Sequence, residues 1–246
     1  MTAIKQYANS HHFHSDFHCL DLEKRKMASK YHSDIDIRLG SVVLKGELCI
    51  PPAAESIIIF SHGSGSSRLS PRNKMVADYL NRNDLGTLLF DLLTEQEDRR
   101  FANRFNIELL TARLIDTTKW IENFEPARQL SVGYFGASTG AASALKAAAR
   151  LEDILAVVSR GGRPDLASES LDKVNAPTLL IVGSLDYEVL KLNREAYAQL
   201  TCEKRLEVIE GASHLFEEKG TMERVCKVAT EWFNTHLQSV KIPINH

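Results

Sequence analysis

Nowhere among the 246 residues do eighteen apolar ones run together, so no segment reads as a bilayer-spanning helix. The first residues also lack the apolar stretch of a secretory signal, and the expected location is the cytoplasm. Charge of one sign is missing: 30 Lys and Arg against 32 Asp and Glu leave a formal charge of -2. That argues against a global attraction to nucleic acid or to an anionic membrane. Cysteine is scarce and scattered. Cys19, Cys49, Cys202 and Cys226 contain no C-x-x-C pair, so they read as reduced thiols and not as a disulfide framework or a zinc site. No internal repeat or linker divides the chain.

What is present suits one large α/β domain: 43% apolar and 25% charged residues, with length enough for a substantial core. Residues 1–34 form a polar, His-rich extension expected to be flexible, carrying His11, His12, His14, His18 and Cys19 without sustained periodicity. Clustered histidines that lack a scaffold are more often solvated than metal-bound, so neither metal nor cofactor is expected. Residues 35–246 then read as a single domain. Ile35–Leu39 alternates as a half-buried strand, with Ser41–Ile50 as its hairpin partner. Ser56–Phe60, Thr87–Phe90, Leu130–Phe135, Ile154–Val158, Thr178–Val182 and Leu206–Ile209 are apolar runs typical of buried strands. Helices are expected at 71–83, 106–124, after Gly140, at 193–200 and at 221–237, with a charged loop over 91–104. Strands alternating with helices predict a doubly wound, mainly parallel sheet with helices on both faces.

The densest signal is Gly136-Ala137-Ser138-Thr139-Gly140, set between a strand-like run and an alanine-rich helix. A G-x-S-x-G turn in that context strains the serine and presents its hydroxyl at the head of a helix, which marks Ser138 as a candidate nucleophile. The plain alternative is a tight structural turn. A serine hydroxyl needs a base, and the base needs an orienting acid. Such groups gather at the carboxyl ends of parallel strands. Asp186 follows the strand ending at Val182, and His214 follows the one ending at Ile209, which yields the order Ser138, Asp186, His214. Asp91 and Asp165 are weaker candidates for the acid; a turn-capping role competes for Asp186.

Stabilising an oxyanion takes two donors. The Thr139 N–H is one expectation, and the Ser64 N–H, in the loop Ser61-His62-Gly63-Ser64-Gly65-Ser66-Ser67-Arg68, is the other. In that loop His62 reads as a structural hydrogen-bonding residue. A phosphate-loop reading fails for want of a third glycine at Arg68 and of any Gly-Lys-Ser/Thr ending.

At these positions the chain resembles the dienelactone hydrolase family of the α/β-hydrolase superfamily. The resemblance runs through His62–Arg68 with Ser70-Pro71-Arg72-Asn73, Phe90–Thr94, Gly133–Gly140, Ser159–Leu166, Gly183–Asn193 and Gly211–Phe216. It implies an α/β-hydrolase fold and hydrolytic chemistry. The founding dienelactone hydrolases use cysteine where Ser138 stands, so the chain resembles a serine branch and the dienelactone substrate is not carried over.

About twenty residues separate Val158 from Thr178, too few for a large helical lid, so a small soluble ester or lactone is the expected substrate. Arg68, Arg160 and Arg163 lie on loops at the same edge. They are candidates to bind a substrate carboxylate or phosphate, against a competing role as salt bridges that fix the loops. The leading reading is a serine esterase or lactonase acting through an acyl-enzyme. A hydrolase-fold binding or regulatory protein and an acyltransferase on the same triad are the alternatives.

Overall fold

The computed structural model describes residues 30–237, so the clustered histidines and Cys19 lie outside the described residues. Two antiparallel strands lead: β1 (Tyr31–Leu39) and β2 (Val42–Ile50) pair from Tyr31↔Ile50 to Leu39↔Val42. β1 opens at Tyr31 and not at Ile35, because pairing with β2 draws the polar His32-Ser33-Asp34 into the ladder whatever their hydropathy. β3 (Ser56–Ser61), β4 (Gly86–Phe90), β5 (Ser131–Ala137), β6 (Ile154–Arg160), β7 (Thr178–Gly183) and β8 (Lys204–Ile209) complete an eight-stranded sheet. Its order is β1-β2-β4-β3-β5-β6-β7-β8. β2 meets β4 antiparallel, and every pairing from β4 to β8 is parallel. The parallel strands therefore end along one edge, where their loops meet.

Side-chain alternation divides the core into two layers. On one face Ile58 and Phe60 of β3 pack with Val76 and Leu80 of α1 (Pro71–Asn81) and with Val225 and Phe233 of the last helix, α6 (Thr221–His236). On the other, Ile57 and Ile59 join residues of three helices: Leu110 and Leu114 of α3 (Ile107–Glu122), Ala144 of α4 (Thr139–Ala148) and Ala196 of α5 (Tyr187–Gln199). The sheet is covered on both sides, as β-strands buried at every position in β3, β4 and β7 require.

The expected charged loop contains two short elements. α2 (Glu95–Asp98) is held by a capping box in which Thr94 Oγ1 accepts the Glu97 N–H and the Glu97 carboxylate accepts the Thr94 N–H. A 3-10 turn follows at Phe101–Phe105. α5 starts at Tyr187, ahead of the expected Asn193. Its first turn sets exposed Tyr187 and Glu188 ahead of buried Val189 and Leu190, a two-residue apolar step too short to mark a helix start by periodicity. Between β6 and β7 the chain forms a 3-10 stretch over Pro164–Lys173, with no helical lid among these described residues. No helix of the described residues is long and apolar enough to cross a membrane.

Candidate active site

The elbow is built by close packing. Ser138 directly follows β5 and precedes α4, with φ 51° and ψ -123°, a conformation L-residues rarely hold. A Cβ on Gly140 would collide with the Ser61 and His62 carbonyl oxygens, and one on Gly136 would lie 2.5 Å from Ala141 Cα. Glycine at both positions lets α4 begin hard against β3 and β5, with Ser138 at the apex. The Ser138 N–H donates to Arg160 O at 3.1 Å, and the Arg163 N–H donates to Ser138 O at 3.0 Å, so the β6 loop clamps the turn.

The same loop meets the histidine. A Cβ on Gly161 would lie 3.5 Å from His214 Cε1. The loops after β7 and β8 are tied to each other: Ser184 N–H donates to Ile209 O, Leu185 N–H to Ala212 O, and Gly211 N–H to Ser184 Oγ. Across that junction His214 Nδ1 donates to Asp186 Oδ2 at 2.6 Å. The aspartate side chain is 14% exposed and the histidine 36%. With Nδ1 carrying the proton, Nε2 is left as the basic nitrogen. Asp186 occupies the N-cap position of α5 yet makes no capping hydrogen bond, so the helix-cap alternative does not describe its side chain. His214 is held by Asp186, and no hydrogen bond joins its ring to Ser138 Oγ among the described residues.

The rival acids are engaged elsewhere. Asp91 accepts from Arg68 twice, at the backbone N–H (2.8 Å) and at Nη1 (3.1 Å). Asp165 takes a two-pronged pair from Arg163, Nε at 2.8 Å and Nη2 at 2.7 Å. These contacts also sort the three arginines. Arg68 and Arg163 each have a carboxylate; Arg160 has none. It is 5% exposed, lies 5.7 Å over the Phe216 ring, and reaches only Asn73 Oδ1, at 3.4 Å. Burial, and secondarily the charge of Arg72, pulls its pKa down to about 10. The Nε atoms of both Arg160 and Arg72 are buried without a partner, and the first turn of α1 contains no acidic residue. Arg72 Nη1 donates to the exposed Glu217 Oε1 at 3.4 Å, so of the two guanidinium groups at this helix N-terminus only that of Arg160 meets no carboxylate among the described residues.

The oxyanion loop departs from expectation at one point. His62 bolts it down, with Nδ1 donating to Gly63 O at 3.0 Å and Nε2 accepting the Leu92 N–H at 3.1 Å. Burial holds its pKa below the usual histidine value. The Ser64 N–H, expected to face a substrate oxygen, instead donates to Thr139 Oγ1 at 2.8 Å. That bond engages the Ser64 N–H with the residue after the nucleophile and not with open space beside Ser138. The Thr139 N–H, first of α4, has no intrahelical acceptor.

Around this edge several apolar side chains stand in solvent: Leu69 on the oxyanion loop, Leu185 and Tyr187 beside Asp186, and Leu215 beside His214. A cleft of about 880 Å³ flanks the oxyanion loop, lined by His62, Ser67, Arg68, Asp91 and Thr94 among others. Among the described residues no three His, Cys, Asp or Glu side chains converge as metal ligands. Arg72, Asn73 and Phe216 escaped the sequence reading as site residues. Phe216 carries its own signal only in the structure, a positive φ of 55° two residues beyond His214.

A doubly wound sheet whose central strand turns through a strained serine, with an Asp–His pair on later loops, defines an α/β-hydrolase. No family model matches the chain. A dienelactone hydrolase from Anabaena variabilis is 49% identical, superposes with a TM-score of 0.83, and covers 86% of this chain and 100% of its own. The chain belongs to the dienelactone hydrolase-like family of the α/β-hydrolase superfamily. An esterase of Pyrococcus furiosus shares the fold at 16% identity, with a TM-score of 0.71 over 89% of this chain and 94% of that one. Two Mycobacterium tuberculosis proteins bearing the provisional name phosphoribosyl transferase are 53% identical over 205 residues. Those residues are 83% of this chain and 46% of each relative, so the chain spans about half the length of the curated relatives it matches.

Proposed function

We propose that the protein hydrolyses an ester or lactone of a small soluble substrate through Ser138, His214 and Asp186. The observation that carries this reading is the 2.6 Å bond between His214 Nδ1 and Asp186 Oδ2, on loops that border a strained elbow serine. His214 Nε2 takes the Ser138 proton as Oγ bonds to the carbonyl carbon, and the carbonyl π pair moves onto its oxygen. When that oxyanion collapses, the bond to the leaving alkoxide breaks, and the alkoxide takes the proton from His214. Water, deprotonated by the same nitrogen, then adds to the acyl-enzyme; the second collapse releases the acid and returns the proton to Ser138. Asp186 keeps the imidazole in the right tautomer and offsets its transient charge.

Arg160 favours a substrate with a carboxylate or phosphate near the scissile bond, because it is the buried cation without a counter-charge. The exposed apolar rim supports an apolar or aromatic group at the other end of the substrate. We place the protein in the cytoplasm, on the strength of free Cys49, Cys202 and Cys226, with no membrane or nucleic-acid partner. The transferase name of the longer relatives describes proteins that this chain matches over 46% of their length, and it is not carried over. Acyl transfer to an alcohol or amine would use the same triad, and added acceptors separate it from hydrolysis by product. The direct test is labelling by a fluorophosphonate probe, expected in the wild type and absent in Ser138→Ala.

A further inference from the structure

The bond from Ser64 N–H to Thr139 Oγ1 joins the oxyanion loop to the residue after the nucleophile. It removes one expected donor and creates another. A hydroxyl that accepts one hydrogen bond still has its own proton to give. Among the described residues the Thr139 O–H meets no acceptor, although the residue is only 5% exposed. Its backbone N–H is also without an acceptor, being the first of α4. Two unengaged donors on one residue therefore adjoin Ser138. The loop that supports them sits close: a Cβ on Gly63, directly before Ser64, would lie 3.0 Å from Ser138 Cβ and 3.7 Å from its Oγ.

We propose that Thr139 supplies both donors of the oxyanion hole, its backbone N–H and its side-chain O–H, and that Ser64 acts through it by orienting and polarising that hydroxyl. The assignment rests on the hydrolase reading above. As Ser138 Oγ bonds to the carbonyl carbon, the electron pair that moves onto the carbonyl oxygen is met by the Thr139 O–H and N–H. The Thr139 proton stays on Oγ1 throughout, and the only proton transferred is that of Ser138, to His214. A hydroxyl already fixed by a backbone amide needs little reorganisation when charge develops, and a chain N–H···O–H···O⁻ strengthens each of its links.

Thr139→Val keeps the shape of the side chain and deletes the hydroxyl; Thr139→Ser keeps the hydroxyl and deletes a methyl. The assignment expects Thr139→Val to lower kcat on an activated short-chain ester about 10²-fold with KM nearly unchanged, and Thr139→Ser to retain most of the rate. Deleting Oγ1 also releases the Ser64 N–H. If that amide is the true donor, Thr139→Val keeps or raises kcat, and the proposal is overturned. A Ser variant as slow as the Val variant assigns the loss to packing and overturns it as well. Thermal unfolding monitors each variant, and Thr139→Ala replaces the Val variant if the latter fails to fold. A wild-type chain inert to both ester and fluorophosphonate overturns the hydrolase reading and the donor assignment with it. A wild type that reacts, beside a Val variant that reacts as fast, overturns the donor assignment alone.

Discussion

Asp186 stands at the head of α5 but leaves that helix uncapped and gives its Oδ2 to His214 Nδ1, 2.6 Å away. Its position at the start of a helix aims the carboxylate across the junction of the two loops at the imidazole, with no capping bond to turn it away. Asp186→Asn should lower kcat/KM on an activated ester by about 10⁴-fold, since the amide no longer selects the tautomer with Nδ1 protonated. Asp91→Asn, which loosens Arg68, should cost much less. Steady-state assays of the two variants check the ranking; the reverse order would move the acid to Asp91.

Arg160 yields a prediction in which stability and activity move apart. A buried cation lacking a carboxylate destabilises the fold, so Arg160→Met should raise the unfolding free energy by on the order of 1 kcal/mol. The same change should remove a preference, about ten- to a hundredfold in kcat/KM, for an ester bearing a carboxylate over its neutral analogue. Calorimetry and paired substrates read the two effects. Equal rates on both substrates in the wild type would mark Arg160 as a structural residue.

Strain at the elbow is testable without any substrate. Ser138→Gly relieves a φ of 51° and should be more stable than Ser138→Ala by roughly 1 kcal/mol of unfolding free energy. Gly140→Ala should destabilise severely, because its Cβ meets the Ser61 carbonyl oxygen. Denaturation curves of the three variants settle the order.

His62 sets a pH dependence. Its pKa in the fold lies below 6.5, mainly through burial, so the unfolded chain binds the proton more readily. The stability it contributes is present above about 6.5 and is lost as pH falls below that value. Protonated Nε2 also cannot accept the Leu92 N–H. His62→Gln should flatten the fall in melting temperature between about pH 6.5 and 5; an unchanged slope would assign that fall to other groups.

Much of this arrangement is legible in the sequence, for a physical reason. The strand-to-elbow-to-helix passage leaves a composition change that no other stretch reproduces, and Asp186 and His214 follow β-branched runs that read as strands. Arg163 and Asp165 stand two residues apart on one loop, so their pairing had a local cue. The Ser64–Thr139 bond had none: it spans 75 residues and depends on how two loops dock. Arg72 reads as an ordinary first-turn helix residue, and only the burial of Arg160 beside it gives it meaning. The start of α5 is hard to read because exposed Tyr187 and Glu188 stand before its first buried pair, Val189 and Leu190.

The central claim is that Ser138 carries the acyl group between two half-reactions. Rapid mixing with a p-nitrophenyl ester whose acyl group leaves slowly, followed by acid quench and peptide mass mapping, tests it most directly. The account predicts a burst of nitrophenol near one equivalent per chain and an acyl adduct on the peptide containing Ser138, both absent in Ser138→Ala. Steady turnover with no burst and no adduct, surviving in Ser138→Ala, would contradict it.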